Sequence, residues 1–278
     1  MLWRARRMLR KGGAAARKFM PARSSLSNAI YWAVIGFLFL PLFVLVFYSF
    51  NAGRQTTWQG FSFVWYQKLV MESPELWHAF SNSIIIAFGS ALMSTAIGSL
   101  AAVGTARYSF KLKNFVSTMS FIPMILPEIV VGVSLLIFFA GVGLRLGLLT
   151  VWIAHTTFNL PFVYLLVSAR LDEADPSIVE AARDLGANEM QILFRIILPM
   201  ALPGILSAFL TAITLSLEDF VITFFVTGPG GTTLPLYIYS MIRFGVSPVI
   251  NALSAVMVAG TVLLVYPMRN FLKVFAAR

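Results

Sequence analysis

Long apolar runs separated by short polar stretches dominate the pattern of this 278-residue chain. Runs of ~20 apolar residues are typical of transmembrane helices, whereas the alternating ~10-residue segments of a membrane β-barrel are absent. The pattern therefore predicts an all-α polytopic membrane protein with six transmembrane helices. The predicted spans are 29–50, 82–106, 115–141, 148–170, 201–226 and 250–272.

Composition agrees with a membrane protein, and the positions of the basic residues predict its orientation. Hydrophobic residues make up 59% of the chain and charged residues 12%, against about 45–50% and about 25% in soluble domains. Seventeen of the 21 Lys and Arg residues lie at the two termini or in the second and fourth loops. Because basic residues concentrate on the cytoplasmic side, both termini and the loop 171–200 are predicted to be cytoplasmic.

The net charge of +10 is concentrated at the N-terminus, where eight basic residues precede position 24. This placement indicates a segment beside anionic lipid headgroups and not a nucleic-acid interface. The apolar run after Asn28 is too long for a signal peptide and is expected to be a retained first span. We therefore divide the chain into a basic cytoplasmic segment, 1–27, and a transmembrane domain, 28–278.

The loop 171–200 combines charges with small apolar residues at helical spacing. Asp175 and Pro176 are suited to start a helix, and Gly186 is suited to end it. Two apolar stripes follow the helical period: Ile178, Ala181, Ala182 and Leu185, then Met190, Leu193, Phe194 and Ile197. The pattern predicts two short helices joined near Gly186.

Signals for the second short helix are equally local. Asn188 with Gln191 resembles a capping box, and Pro199 is expected to interrupt the backbone hydrogen-bond ladder. The residues alone leave two interpretations open. The helix pair either docks a protein partner or lies as an amphipathic pair on the bilayer.

The same loop resembles the EAA loop of the permease subunits of type I ABC importers. The specified positions of that motif match throughout: Glu180, Ala181, Ala182, Gly186, Ile196, Leu198 and Pro199. In that family the loop inserts into a cleft of the nucleotide-binding subunit. The resemblance therefore implies that a cytoplasmic ATPase contacts the stretch from Glu180 to Gly186, which includes Asp184 and Leu185.

Other segments extend the resemblance toward the PotC/PotI-type permeases of spermidine/putrescine importers, among them Leu215–Asp219 and Phe225–Pro229. This implies a permease subunit in the bacterial inner membrane that carries polyamines by alternating access. Its implied partners are a dimer of cytoplasmic ABC ATPases, which holds ATP and Mg²⁺, a second, PotB-like permease and a periplasmic substrate-binding protein. A permease for another small organic solute is the alternative.

Three acidic residues lie inside the predicted spans: Glu128, Glu218 and Asp219. Each costs on the order of 2.5–3.5 kcal/mol in lipid, so each is expected to face a cavity or a partner. Ser207, Thr211, Thr214 and Glu218 fall on one face of the fifth predicted helix, with Asp219 ~100° around it. These residues predict an acid-lined path for a cation. Pairing with basic residues of a second subunit, or a structural role as protonated donors, remains open.

Weaker polar signals are given structural interpretations. His155 with Asn159, one turn later, predicts hydrogen bonds between helices, and Asn82 predicts a cap or packing contact. Pro123 and Pro127 release backbone carbonyls in the third predicted span.

The sequence contains no recognisable motif of an enzyme active site. No Lys follows a Gly, which excludes a Walker A loop, and the two His residues are too far apart for an HExxH site. We therefore expect no enzyme active site, metal or cofactor on this chain, and ATP hydrolysis by a partner. A proton-coupled secondary carrier could use the same buried acids and is the second alternative.

Overall fold

Helices account for nearly all the regular structure of the chain. The computed structural model describes residues 25–54, 57–175, 177–244 and 247–276. Its helices are α1 (Ser25–Tyr48), α2 (Val64–Met71), α3 (Pro74–Arg107), α4 (Lys113–Ile125), α5 (Glu128–Gly141), α6 (Leu148–Asp172), α7 (Ser177–Asp184), α8 (Glu189–Ile192), α9 (Leu198–Glu218), α10 (Val221–Val226), α11 (Leu234–Phe244) and α12 (Pro248–Ala276). A π-helical turn, Leu193–Ile197, joins α8 to α9.

The chain divides into two compact units. The first comprises Met1–Val70 and Ser247–Arg278, in which α1 and α12 pack against each other. The basic segment 1–27 lies outside the described residues up to position 24. After α1 the chain folds back, and the Trp65 indole donates to the Asn51 carbonyl at 2.7 Å.

The second unit, Met71–Val246, is built on α3, α6 and α9. The interfaces between these helices use small and β-branched side chains. Helices in lipid associate through van der Waals packing and not through the hydrophobic effect, and small side chains let their backbones approach closely. A Cβ added at Gly98 of α3 would lie 2.7 Å from the side chain of Val163 on α6. The helices therefore pack closely. The fully buried residues of this interface are Ala91, Ala102, Val163, Val167, Ala208 and Ala212.

Apolar helices occupy all six predicted spans. Within the described residues, four are long enough to cross a membrane alone: Leu26–Tyr48, Pro74–Arg107, Leu148–Asp172 and Glu189–Glu218. Pro248–Leu263 is a shorter apolar helix. The prediction of an all-helical membrane protein is confirmed by this pattern.

The third predicted span, 115–141, is wrong as a single helix. α4 and α5 meet at a bend of 110°. Leu126 is extended, with ψ 138°, because the ring of Pro127 disfavours helical backbone at the preceding residue. The two prolines predict freed carbonyls near Pro127, but the change in direction is a finding of the structure.

The fifth predicted span, 201–226, is also corrected. The helix begins earlier, at Glu189, and ends at Glu218. Asp219 has ψ 124° and breaks the helix before the short α10 begins at Val221. The remaining eight residues of the prediction therefore belong to a break and a second helix.

Candidate functional site

Local contacts build the first half of the 171–200 loop. The Asp175 carboxylate accepts a hydrogen bond from the Ser177 amide at 2.9 Å. That amide lowers the pKa of Asp175 from its ordinary value, which is the expected effect of a donor on an ionised carboxylate. Asp175 therefore caps α7 as predicted, while Pro176 lies outside the described residues.

Gly186 ends α7 as the sequence predicts. Its φ of +82° is a left-handed conformation that a side chain would strain. The Gly186 amide donates to the Arg183 carbonyl at 2.8 Å, and the Ala187 amide donates to the Ala182 carbonyl at 3.0 Å. These two bonds form a Schellman motif, which satisfies the last carbonyls of the helix.

The predicted capping box begins α8. The Asn188 side chain accepts from the Gln191 amide, and the Gln191 side chain accepts from the Asn188 amide, both at 2.9 Å. Two of the free donors at the start of the helix are thereby satisfied reciprocally.

The ladder interruption expected at Pro199 takes the form of the π-helical turn. The Leu198 amide donates to the Leu193 carbonyl, five residues back. The chain thus continues into α9 without a break. The loop and the membrane helix are consequently one continuous helical body from Glu189 to Glu218.

The two apolar stripes of the loop are divided between the core and the surface. Ala182 packs with Val179 against a cluster that holds Val103 and Ile192. Leu185, by contrast, is 89% exposed. The residues of the first stripe therefore do not all face the same surroundings. The remaining predicted contact residues are also exposed: Glu180, Ala181, Asp184 and Gly186.

Exposed apolar side chains follow the end of α7 along the chain. Besides Leu185, Met190 is 63% and Phe194 57% exposed. Large apolar side chains exposed together and bordered by charges mark a surface that contacts another protein or a membrane. Both interpretations of the loop from its sequence require such a surface.

Glu189 ties the loop to the end of α3. Its carboxylate accepts from Arg183 at 2.8 Å and from Arg107 at 3.4 Å. The hydrogen bond from Arg183 is the main cause that lowers the pKa of Glu189. The 171–200 loop is thus connected to two membrane helices, α9 through the backbone and α3 through this ion pair.

A second group of predicted residues surrounds an open cavity of about 310 Å³. Glu128 is the first residue of α5, after the 110° bend, and Glu218 is the last residue of α9. Both side chains are exposed. The structure brings the two acids to one cavity, which is lined by Glu128, Phe158, Leu215, Glu218, Asp219, Phe220 and Val221.

The hydroxyl residues before Glu218 lie on an outward face of α9. Thr211 is partly exposed and Thr214 fully exposed. Each hydroxyl donates to the carbonyl four residues earlier, Ser207 at 2.9 Å and Leu210 at 3.0 Å. These hydroxyls retain acceptor capacity, so they can still accept a bond from a donor ligand.

The structure corrects the position of Asp219. The residue lies beyond the end of α9, not ~100° around it from Glu218, and is only 8% exposed. Its carboxylate accepts from the Ile222 amide at 3.2 Å and from the Thr223 amide at 2.9 Å. The Thr223 hydroxyl also donates at 2.8 Å. Asp219 therefore caps α10, with its oxygens occupied by protein donors.

His155 completes the surroundings of Asp219, and the predicted hydrogen bonds between helices are confirmed. Its Nε2 lies 3.1 Å from Asp219 Oδ2 and its Nδ1 lies 2.6 Å from Ser216 Oγ. Asn159, one turn further along α6, donates to the Ala212 carbonyl at 3.2 Å. Two polar residues of α6 thus hold α9 and the start of α10.

A single direction of donation fits this buried network. Ser90 donates to Ser216, and Ser216 donates to Nδ1 of His155. Nε2 of His155 donates to the Thr223 hydroxyl at 2.9 Å, and that hydroxyl donates to Asp219. Ser, His and Asp occur together in hydrolase triads, but here Ser216 is only 6% exposed, which leaves no room for a substrate at its hydroxyl. The arrangement is a structural clamp, which we call the His155–Asp219 clamp.

Sequence reasoning did not find this clamp. A neutral or charged His inside an apolar span must have hydrogen-bond partners, which is a usable signal. The sequence does not identify the partners of His155, because Ser216 and Asp219 lie 61 and 64 positions away from it. Across the described ranges, no three His, Asp or Glu residues cluster closely enough to hold a metal ion.

Comparison with known proteins identifies the family. Residues 94–278 match the family described as the binding-protein-dependent transport system inner membrane component. The spermidine/putrescine transport system permease protein PotC of Haemophilus influenzae is 42% identical over 245 residues, which cover 88% of this chain and 95% of the relative. The putrescine transport system permease protein PotI of Escherichia coli K12 is 42% identical over 234 residues, covering 81% and 83%.

A solved structure shares the fold. A chain of a bacterial ABC transporter involved in the import of the acidic polysaccharide alginate superimposes with a TM-score of 0.72 at 18% identity, covering 95% of this chain and 98% of that one. The predicted type I importer permease fold is confirmed by this likeness. Since the family match covers more than half of the chain and the relatives exceed 40% identity, the chain belongs to the family of inner membrane permease components of binding-protein-dependent transport systems.

Proposed function

We propose that this permease subunit carries polyamines, of the spermidine and putrescine class, inward across the bacterial inner membrane. The cavity between Glu128 and Glu218 is the observation that carries the proposal. Among the described residues that line it, none is Lys or Arg, and neither carboxylate has a hydrogen-bond or ion-pair partner in the described part of the chain. Two unpaired carboxylates beside one cavity favour a ligand with separated positive charges.

The surroundings of the cavity suit the hydrocarbon part of such a ligand as well. Phe158 and Phe220 lie in its wall, and aromatic faces attract ammonium groups and pack against methylene groups. Thr214 adds an acceptor hydroxyl one turn before Glu218. The proposal agrees with the relatives described above, which are permease proteins of spermidine/putrescine and putrescine transport systems.

We assign Asp219 a positioning role, in contrast to the two exposed acids. Its oxygens already accept three hydrogen bonds from α10, and His155 Nε2 lies 3.1 Å from Oδ2. Asp219 fixes the break after α9, and it thereby fixes the position of Glu218, the last residue of α9, beside the cavity. This departs from the sequence interpretation, in which all three acids formed the path.

Transport is proposed to be driven by a separate ATPase that docks on the stretch Glu180–Gly186, in which all residues except Ala182 are exposed. Motion of this stretch reaches the cavity through the helical body Glu189–Glu218, whose 30 residues span about 45 Å. The same motion reaches α3 through the contact between Arg107 and Glu189. Movement at one end of α9 thereby displaces Glu218 at the other end, as alternating access requires.

The proposed assembly contains a dimer of ATP- and Mg²⁺-binding subunits, a second, PotB-like permease and a periplasmic binding protein that delivers the polyamine. In this assembly the 171–200 loop and both termini lie in the cytoplasm, because most basic residues fall on that side. The second permease supplies the opposite wall of the path.

The test is ATP-driven uptake of radiolabelled putrescine and spermidine by the complete transporter in proteoliposomes. Glu128→Gln and Glu218→Gln each remove one charge-assisted contact and are expected to lower uptake roughly tenfold. The double variant is expected to lower it further, while ATPase activity persists. Asp172→Asn, an exposed acid far from the cavity, is the matched control and should transport normally.

Normal uptake by both glutamine variants would overturn the acid-lined path. Absence of polyamine uptake by the unaltered complex would instead point to another small organic solute. Dissipation of the proton gradient distinguishes the remaining alternative. Uptake that stops with the gradient and continues without ATP hydrolysis would indicate a secondary carrier.

A further inference from the structure

A larger cavity, of about 560 Å³, opens at the far end of the second unit. It lies between the first three turns of α3, the segment that follows α10 and the start of α11. The residues that line it are Glu75, His78, Ala79, Asn82, Gly230, Thr232 and Tyr237. Neither the family motif nor the proposed cation path includes any of them.

The length of α3 separates this Glu75 cavity from the other sites. Glu75 and Arg107 lie 32 positions apart on one helix, or about 48 Å. The 171–200 loop meets the Arg107 end, so the Glu75 cavity opens on the opposite side of the membrane. Ser90, which contacts Ser216 next to the clamp, lies about 22 Å along α3 from Glu75. The Glu75 cavity is therefore also well outside the Glu128–Glu218 cavity.

The floor of the cavity is held in place by hydrogen bonds. The Asn82 side-chain amide donates to the Gly230 carbonyl at 3.0 Å and to the Thr232 carbonyl at 2.9 Å. The neighbouring Ser83 hydroxyl accepts from the Leu234 amide at 2.8 Å. The predicted packing role of Asn82 is thus confirmed, and its consequence is a loop fixed to α3 with its carbonyls ordered.

The available groups suit a positively charged ligand. Within the described part of the chain, no hydrogen bond or ion pair occupies the Glu75 carboxylate, and the lining contains no Lys or Arg. Each of the two carbonyls held by Asn82 keeps a second lone pair. Burial, and then the negative charge of Glu75, raise the pKa of the Tyr237 phenol. The Glu75 carboxylate and the Tyr237 ring both line this cavity.

We propose that the Glu75 cavity is an outer binding site for an ammonium group of the transported cation, separate from the Glu128–Glu218 cavity. The Glu75 carboxylate neutralises the charge, and the Tyr237 ring packs against the ligand beside it. This inference rests on the polyamine transport proposed above. In this proposal, a cation released on the outer side binds first at the Glu75 cavity. It then moves about 22 Å inward along α3.

Binding of radiolabelled putrescine to the complete transporter in nanodiscs, without binding protein and at low ionic strength, tests the site directly. The measurement is made in the Glu128→Gln/Glu218→Gln background, so that the inner cavity contributes little. There Glu75→Gln is expected to raise the dissociation constant roughly tenfold, because a charge-assisted contact is lost. Glu72→Gln removes an equal charge two residues before the start of α3, outside the lining, and should leave binding unchanged.

Two substitutions at Tyr237 test the aromatic contribution. Tyr237→Phe keeps the ring and is expected to bind within about twofold of the parent, while Tyr237→Leu is expected to weaken binding roughly fivefold. Binding unaffected by Glu75→Gln, or weakened equally by Glu72→Gln, overturns the outer site. The same is true if Glu75→Gln changes only the concentration of binding protein that half-maximally stimulates ATPase activity, since that result makes Glu75 a docking residue.

The outcomes also distinguish this site from the proposed function. If the unaltered complex takes up putrescine and Glu75→Gln has no effect on binding, only the outer site fails. If the unaltered complex neither binds nor transports putrescine or spermidine, the polyamine assignment fails, and the outer site as formulated here fails with it.

Discussion

Two helix breaks in the second unit satisfy their free backbone groups in different ways. Between α7 and α8, at Gly186, the chain is exposed and its ends are satisfied by residues within five positions. Between α9 and α10, at Asp219, the chain is buried and held by His155 from another helix, 64 positions away. The first break is made of local contacts alone, whereas the second adds a contact across the fold to the local bonds that Asp219 accepts from α10.

The difference indicates which part can move and which part cannot. Exposed caps can open and reform against water at small cost, so the α7–α8 break suits a surface that changes partner contacts. Buried polar groups lose their only partners when they separate, which is expensive in a low-dielectric interior. The Asp219 break is therefore expected to move as a rigid piece together with α6.

The largest effect is expected for Asp219→Ala. Removing this carboxylate leaves the Thr223 hydroxyl and the α10 amides without an acceptor, and leaves His155 buried without its acidic partner. Loss of one member of such a buried network costs about 3–5 kcal/mol. The midpoint of thermal unfolding of the purified complex should fall markedly, together with uptake.

Glu218→Ala, one position earlier, is the matched control. Its side chain is exposed and has no protein partner in the described residues, so the unfolding midpoint should hardly change although uptake falls. His155→Ala combined with Asp219→Ala should cost less than the sum of the single changes, since they share one contact. Equal stability of the two alanine variants at 218 and 219 would contradict the clamp.

The comparison also explains what could be predicted from the sequence. The cap at Asp175, the stop at Gly186 and the box at Asn188 each depend on neighbours within a few residues, and all three were predicted. The break at Asp219 was not, because its burial and its contact with His155 in a different helix add to the local bonds from α10. The 110° bend at Pro127 lies between these cases, since its cause is local but its direction is set by packing.

The same reasoning applies to the candidate site. The polar stripe ending at Glu218 follows from helical spacing, and the structure has it on one exposed face. Asp219 follows Glu218 directly, and no pattern in the chain distinguishes an acid that faces a cavity from one that caps the next helix. Only the positions of Thr223 and His155 in space make that distinction.

An intermediate effect is expected for Gly186→Ala. At φ +82° an L side chain is strained by about 1 kcal/mol, even though nothing lies within 4 Å of the added Cβ. The cost falls on the local α7–α8 break, so ATPase stimulation by loaded binding protein should weaken while the unfolding midpoint moves little. The ATPase assay and the unfolding scan together give both readouts.

Gly104→Ala serves as the control for backbone strain. Gly104 lies inside α3 with an ordinary helical backbone, and nothing lies within 4 Å of an added Cβ. Alanine there should be neutral or slightly stabilising, because it lowers the entropy of the unfolded chain. A loss of coupling in Gly104→Ala equal to that in Gly186→Ala would mean that the left-handed turn is not the cause.

The smallest effect is expected for Glu189→Gln, and it should depend on pH. The Arg183 hydrogen bond holds the folded-state pKa of Glu189 below its ordinary value of 4.5. A carboxylate with a lowered pKa contributes stability above its unfolded pKa and loses it as pH falls through the folded one. The unfolding midpoints of the parent and Glu189→Gln should therefore differ slightly and by a constant amount from neutral pH to about pH 5. They should converge below pH 4.5, and the difference should shrink in high salt, because the pair is exposed.

Glu180→Gln, an exposed acid on the same loop, is the control and should leave the unfolding midpoint unchanged across this range. A difference that persists in acid would mean that packing of the side chain, not the ion pair with Arg183 and Arg107, joins the loop to α3.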